Sequence, residues 1–291
     1  MGEIVVQGAT MAAIYALVAV SLNIIYRPTN IFNFAQGDLL MVGALLAAVL
    51  ARGYAVQWYA AAAIALGAVA LLAMIIDLVA VSPVIARHGE GGGWIISTLA
   101  ASIIIHEIAD KLAGPDPRVL PPPPPLQTTP IDFGAFSASS FQIGLVVFVC
   151  ALVAATEIFY RTRPGRAVRA IAEDREASLL RGINPTLVTR LSFAVGGAVA
   201  AIAGILAAPI LFASTSLGWL LLLKGFLIVA VGGIGSNGGA ILAALTVGMI
   251  EAVTARTLTP GLQEATSFAV VLAILLVRPQ GIFGSAAGRA V

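Results

Sequence analysis

An all-α, polytopic membrane bundle is the fold this sequence predicts, and three observations carry the prediction. Residues of the AVILMFWYC set fill 59% of the 291 positions and charged residues only 10%, against roughly 45–50% and 25% in a soluble domain. The apolar residues gather into nine runs, at about 4–26, 35–51, 57–81, 94–113, 141–160, 190–213, 217–235, 239–258 and 263–277, parted by Gly, Pro or charge. Seven of the sixteen basic residues fall in one polar stretch, 161–190. The composition excludes a water-soluble globule and a disordered chain alike. A helix that crosses a bilayer needs about 20 apolar residues, so little chain is left for anything else, and 1–291 reads as a single transmembrane domain.

The first run has no basic segment ahead of it and no small-residue cleavage pattern, so it reads as a first span and not as a removed signal. The second opens on NFAQGDLL (33–40), where Asn33, Gln36, Gly37 and Asp38 stand together. Capping would explain one of them; four small or polar residues where a span begins predict a close-packed or pathway-lining turn. Between the fourth and fifth runs, the stretch 114–140 holds five successive prolines, Pro121 to Pro125. They cannot be helical and predict a stiff polyproline spacer. The fifth run contains the single Cys150, expected as a packed thiol, and one cysteine excludes a disulfide framework and Cys-based metal clusters. Near the end of that run Glu157 can pair with Arg161 one turn on.

The seventh run has Lys224 in its middle and is interrupted by VGGIGSNGGA (231–240), so a broken or re-entrant helix is expected near 217–240. The count is therefore eight or nine spans. Lys224 and Glu251 lie deep in apolar runs, where charges are costly and often functional. They read either as lining of a path or as an ion pair that holds the last helices together.

Lys and Arg favour the cytoplasmic side of a membrane protein. With 161–190 placed inside, nine spans put Arg27, Arg87, Arg278 and Arg289 inside too, and leave Arg52, Lys111, Arg118 and Arg256 outside. The N-terminus and the proline-rich stretch are then external and the C-terminus cytoplasmic. The segment 161–190 is too polar for lipid but carries folding signals. Asp174 is a candidate N-cap, residues 175–181 make two turns with Leu179 and Leu180 as an apolar edge, Gly182 suits the C′ position and Pro185 stops continuation. Two turns are not stable alone in water, so this helix must lean on the membrane body or on another protein.

Chemistry is largely excluded. There is no GxxxxGK[ST] to cradle ATP, His88 and His106 are the only histidines and lie in different segments, and a net charge of +2 makes no basic stripe for nucleic acid. No catalytic residue, metal site or cofactor is expected.

Four segments, NIFNFAQGDLLMVGALLA (30–47), RAIAEDREASLLRGIN (169–184), VGGIGSNGGAILAALTVGMIEA (231–252) and LLVRPQGIFG (275–284), resemble in order and spacing the LivH-type permeases of the branched-chain amino acid ABC importers. The resemblance covers nearly the whole chain. It implies that 161–190 is a coupling loop contacting ATPase subunits, since Glu176, Ala177, Ser178 and Gly182 fit the pattern Glu-Ala-Ala-x-x-x-Gly with Ser178 for the second Ala. The coupling candidates are Asp174, Arg175, Glu176, Ala177, Leu179, Leu180, Arg181 and Gly182, with Leu179 and Leu180 as apolar anchor and Arg175, Glu176 and Arg181 as polar contacts. It further implies a bacterial inner membrane, a second permease subunit, two ATPase subunits and an external binding protein. Asn33, Gln36, Gly37, Asp38, Lys224 and Glu251 are the substrate-path candidates. The cargo implied is a branched-chain or other hydrophobic amino acid; urea, short amides and aromatic acids are carried by similar permeases. The proline run is not a family feature. Rival readings are an ion-driven secondary transporter using Lys224 or Glu251, and an amide or urea channel that works alone.

Overall fold

The structure is a computed structural model that describes residues 1–88, 92–114, 116–134, 136–258 and 260–282. Arg289 and the last two residues of the 275–284 motif lie outside the described residues, as does the side chain of Arg87. The described chain is helical almost throughout. Its helices are α1 (Gly2–Thr29), α2 (Gln36–Ala48), α3 (Trp58–Ile76), α4 (Ser82–His88), α5 (Gly93–Ala113), α6 (Ser140–Arg161), α7 (Arg163–Glu173), α8 (Arg175–Leu180), α9 (Pro185–Leu211), α10 (Leu217–Gly232), α11 (Asn237–Thr257) and α12 (Gln263–Val277). One antiparallel pair, β1 (Pro130–Asp132) and β2 (Ser137–Ser139), joins Pro130 opposite Ser139 in the proline-rich loop, a hairpin that its composition did not announce.

Six helical stretches are long and apolar enough to cross a membrane: Gly2–Thr29, Gln36–Gly53, Trp58–Ile85, Ser140–Arg161, Pro185–Leu211 and Asn237–Thr257. The remaining runs fall short of that standard for physical reasons. α10 and α12 have 16 and 15 residues, and the second half of α5 carries Glu107, Asp110 and Lys111. The break expected near 217–240 takes the form of a short α10 that runs unbroken through Lys224 and stops at Gly232, followed by a turn in which Gly233 and Gly235 have φ of 94° and 78°.

α1 is the central column. From Ala12 to Ile25 every residue is buried, and Ile14, Leu17, Ala19 and Val20 have no more than a trace of exposure, as expected of a helix that is apolar on all sides. It packs against α6, α9, α10 and α11. Its hydroxyls bond their own turns, Thr10 to the Val6 carbonyl (2.7 Å) and Ser21 to that of Val18 (2.7 Å), so they can be buried without other partners. Asn30 ends the helix in the left-handed region (φ 52°), its N–H bonded to the Tyr26 carbonyl at 2.7 Å. Glu3 pairs with Arg256 at the end of α11 (2.8 Å) and Arg27 bonds the Gly235 carbonyl just before its start (2.8 Å), so α1 and α11 run antiparallel.

The third apolar run makes a longer rod than its pattern suggested. α3 passes through a wide turn at Asp77–Val81 into α4. Pro83 accounts for that turn, because its ring has no N–H and clashes with the carbonyl one turn back unless the ladder opens. The sixth run begins at Pro185 and not near 190; Pro185 both ends α8 and supplies the first position of α9, with Asn184 as its cap (Leu187 N–H to Oδ1, 3.2 Å).

Three local expectations are corrected. The proline run turns instead of continuing straight, with the Leu126 N–H on the Pro123 carbonyl at 2.9 Å, and it is held by the Trp58 indole N–H on the Pro121 carbonyl (2.9 Å) and by the Tyr59 hydroxyl on that of Pro124. Cys150 is exposed on the outer side of α6, not packed. Glu157 pairs with Arg27 (3.3 Å) and accepts from the Asn237 amide (3.0 Å) in preference to Arg161, because three helices meet at that corner.

Glycines set the helix spacings. A Cβ on Gly204 of α9 would lie 2.1 Å from the Leu40 carbonyl oxygen of α2, one on Gly43 2.7 Å from the Ala201 Cα, and one on Gly248 of α11 2.6 Å from the Gly8 carbonyl oxygen of α1. Gly67 on α3, by contrast, has nothing within 4 Å. Gly204→Ala therefore forces α2 and α9 apart and costs about 1–3 kcal/mol, whereas Gly67→Ala gains helix propensity of up to about 1 kcal/mol. Melting in detergent checks the pair: the first variant melts lower than the parent and the second at or above it.

Candidate functional site

Three groups of residues bear on function, and they occupy different levels of the bundle. At the end rich in arginine, α7 and α8 form an elbow. Thr162 caps α7 by accepting from the Gly165 N–H (3.5 Å), and a Cβ on Gly165 would lie 2.2 Å from the Phe159 carbonyl oxygen, which lets α7 fold directly back onto α6. Val168 and Ile171 are buried, and the Arg169 guanidinium donates to the Tyr160 carbonyl at 2.6 Å. Sequence reasoning saw only polarity in 161–173; the Thr162 cap with Val168 and Ile171 three apart was the available signal for α7.

α8 is capped at both ends as its residues foretold. Asp174 accepts from the Ala177 N–H (2.9 Å). At the other end the Ile183 N–H reaches the Ser178 carbonyl (3.1 Å) and the Gly182 N–H that of Leu179 (2.9 Å), with Gly182 at φ 77°. Ser178 turns inward with 1% exposure, while Leu180 is 91% and Leu179 57% exposed. Asp174, Arg175, Glu176 and Arg181 face solvent and Ala177 is half-buried. Between Arg175, the end of α1 and the start of α9 lies a cavity of about 660 Å³, lined by Thr29, Ser82, Trp94, Thr186 and Thr189 among others.

The second group lies where α2 begins. Asn33 Oδ1 accepts from the Ala35 N–H (3.1 Å), and the Gln36 amide donates to the Gly196 carbonyl of α9 (2.9 Å). Both side chains are 1% exposed, so they secure the turn that starts the helix. Gly37 meets Gly218 of α10 backbone to backbone; a Cβ on either would lie 2.5 Å from the other's carbonyl oxygen. Asp38 points the other way. One of its oxygens accepts from the Ser102 hydroxyl of α5, and the other lies 3.4 Å from His106 Nδ1. These groups open on a cavity of about 370 Å³ lined by Gly37, Asp38, Ser102, His106, Glu107 and Trp219, with Leu99, Ile103 and Leu222 as apolar wall. Ser102, His106 and Glu107 of α5 and Trp219 of α10 were not picked from the sequence, since their positions along two separate helices say nothing of what those helices face.

The third group joins the two deep charges. Lys224 and Glu251 form an ion pair with 4% and 6% exposure. Glu251 also accepts from the Tyr15 hydroxyl (2.5 Å) and the Ser267 hydroxyl (2.8 Å), and the Lys224 ammonium lies 5.7 Å from the Phe268 ring centroid. Four helices, α1, α10, α11 and α12, thus meet on one carboxylate. The structure brings this pair together and keeps it apart from Asn33, Gln36, Gly37 and Asp38, none of which it contacts by hydrogen bond or ion pair among the described residues.

The family profile described as branched-chain amino acid transport system / permease component matches residues 4–277. The high-affinity branched-chain amino acid transport system permease protein LivH of Salmonella typhimurium is 32% identical over 290 residues, which cover 96% of this chain and 94% of the relative. LivH of Escherichia coli K12 has the same identity and coverage. BraD of Pseudomonas aeruginosa, another high-affinity branched-chain amino acid permease, is 30% identical over 292 residues, 96% and 94% of the two chains. No solved structure matches.

Removing one partner of a buried ion pair strands the other. Lys224→Met alone is expected to destabilise the bundle by about 3–5 kcal/mol, and Lys224→Met with Glu251→Gln to recover most of that loss. Denaturant titration in micelles, followed by tryptophan fluorescence, measures both.

Proposed function

The chain belongs to the branched-chain amino acid transport permease family, and we propose that it is one membrane half of an ATP-driven importer for branched-chain or other hydrophobic amino acids. In this reading it crosses the bacterial inner membrane nine times, α5, α10 and α12 completing the six long spans, with its N-terminus and proline-rich loop outside and its C-terminus inside. A second permease subunit, two ATPase subunits and an external binding protein complete the machine. Residues 1–291 act as one transmembrane domain, with 161–190 as the coupling loop.

The observation that carries the reading is α8. A six-residue helix is far too short to persist alone, yet this one is capped at both ends and turns Leu179 and Leu180 outward at the arginine-rich end. Such a surface suits a groove on a partner ATPase, with Arg175, Glu176 and Arg181 around its edge. The cavity behind Arg175 leaves room for α8 to move against α1 and α9 when the ATPases close. Rigid-body rocking of the spans would then alternate access between the two faces.

In this reading the path runs along α2, α5 and α10. His106, Glu107 and Trp219 lie on a half-exposed surface within the bundle's length, and ionisable side chains there do not face lipid. A second permease packed over this face would enclose the cavity beside Asp38. Lys224 and Glu251, by contrast, satisfy each other in a sealed site, which supports a structural role for them and weighs against an ion-driven cycle.

Gly182→Val tests the coupling. Valine at φ 77° costs roughly 1–3 kcal/mol of local strain, and with nothing within 4 Å of that position the damage is confined to the end of α8. The reconstituted importer should keep hydrolysing ATP while uptake falls severalfold. Normal uptake by this variant would overturn the coupling role.

A further inference from the structure

The Asp38 carboxylate is both held in place, by Ser102 and His106, and open to a cavity within the bundle. We propose that Asp38, positioned by Ser102 and His106, is the specificity-determining residue of the path and receives the ammonium group of the amino acid in transit. The permease would then select its cargo itself instead of passing on whatever is delivered. The proposal rests on the reading of the α2, α5 and α10 face as the path.

The geometry of the carboxylate argues for it. Gly37 packs backbone to backbone on Gly218, which sets the first turn of α2 directly against α10, and Asp38 follows at the next position. With 9% exposure its side chain is mostly enclosed. The Ser102 hydroxyl occupies one oxygen and His106 approaches the other at 3.4 Å. A carboxylate accepts about four hydrogen bonds, so capacity is left for a cation with several N–H donors. No Lys or Arg lines the cavity to fill it, and Glu107, one residue along from His106, adds a second negative group that has no ion-pair partner among the described residues.

The rest of the cavity completes the match. Leu99, Ile103 and Leu222 offer an aliphatic wall beside the acidic one, and about 370 Å³ lies within the range of small-molecule sites. A zwitterion with a branched aliphatic side chain satisfies both walls. Urea and simple amides bring no cation to Asp38. A carboxylic acid without an amine brings a like charge, which such a site rejects.

Protection from labelling tests the site without relying on uptake. The chain carries Cys150→Ser and Ile103→Cys, is purified with the subunits that accompany it, and is treated with a membrane-impermeant thiol reagent, which reacts only where water reaches the sulfur. L-Leucine and leucinamide, which share the ammonium, should slow labelling; isocaproate, with the same side chain and no amine, should not. Asp38→Asn should weaken protection by leucine about tenfold or more, Asp38→Glu should restore part of it, and Ser102→Ala should fall between parent and Asp38→Asn. If the thiol labels but isocaproate protects as well as leucine, or Asp38→Asn protects like the parent, the role of Asp38 is overturned while the path stands. If the thiol does not label at all, the path reading falls and the proposal with it. Should Asp38→Asn fail to assemble, the contrast among leucine, leucinamide and isocaproate on the unaltered carboxylate still decides.

Discussion

Everything in this bundle depends on how closely its helices approach one another. In lipid, burying apolar surface between helices gains little, because acyl chains are as apolar as leucine; association rests on dispersion at short range and on polar contacts. Glycine and alanine at the crossings supply the short range. Gly8 with Gly248, Gly43 with Ala201, and Gly204 with Leu40 bring α1 to α11 and α2 to α9 at distances no larger side chain would permit. Leucine, isoleucine and valine then divide between the column around α1 and the outer surface, where Val147, Leu272 and Leu276 are exposed. Their abundance marks the solvent; the small residues determine the packing.

The same close spacing sorts the polar groups into two kinds. Glu251 is enclosed by four helices and meets a lysine, a tyrosine and a serine, so its charge is compensated where it stands. Asp38 also has a hydroxyl and a histidine, but it faces outward from a crossing of two glycines onto open volume. Two carboxylates in one apolar chain thus have opposite roles in this reading: one stitches helices together and the other waits for a cation. What separates them is the space in front of each.

How far the sequence was legible follows from which signals are local. The long spans were readable because apolarity accumulates over about 20 residues, and α8 because Asp174, Gly182 and Pro185 act on their immediate neighbours. The turn before α2 was readable in kind, since Asn33, Gln36, Gly37 and Asp38 are odd residues for a span, but not in detail: Gln36 finds its partner 160 residues away in α9. α7 was overlooked because its three arginines, Arg163, Arg166 and Arg169, masked an apolar face of only Val168 and Ile171. The Lys224 and Glu251 pair, the return of Glu157 to Arg27 and the convergence of Ser102 and His106 on Asp38 all need the tertiary arrangement, which no spacing rule encodes. The sequence reads as eight or nine spans for a related reason: α10 stops after 16 residues at the Gly-rich break, short of the length that marks a span by itself.

The proline-rich loop carries a consequence beyond its shape. A run of five prolines offers carbonyls but no N–H groups, so it cannot fold by pairing with itself. Here Trp58 and Tyr59, at the first turn of α3, donate to two of those carbonyls, and the Arg118 and Ala213 backbones bridge the loop to the chain beyond α9. The conformational entropy of this surface is therefore lost when the chain folds and not when something lands on it. A protein docking at this end would meet a face already ordered by the chain's own fold, so less of its contact energy would go to ordering the loop and more would survive as affinity.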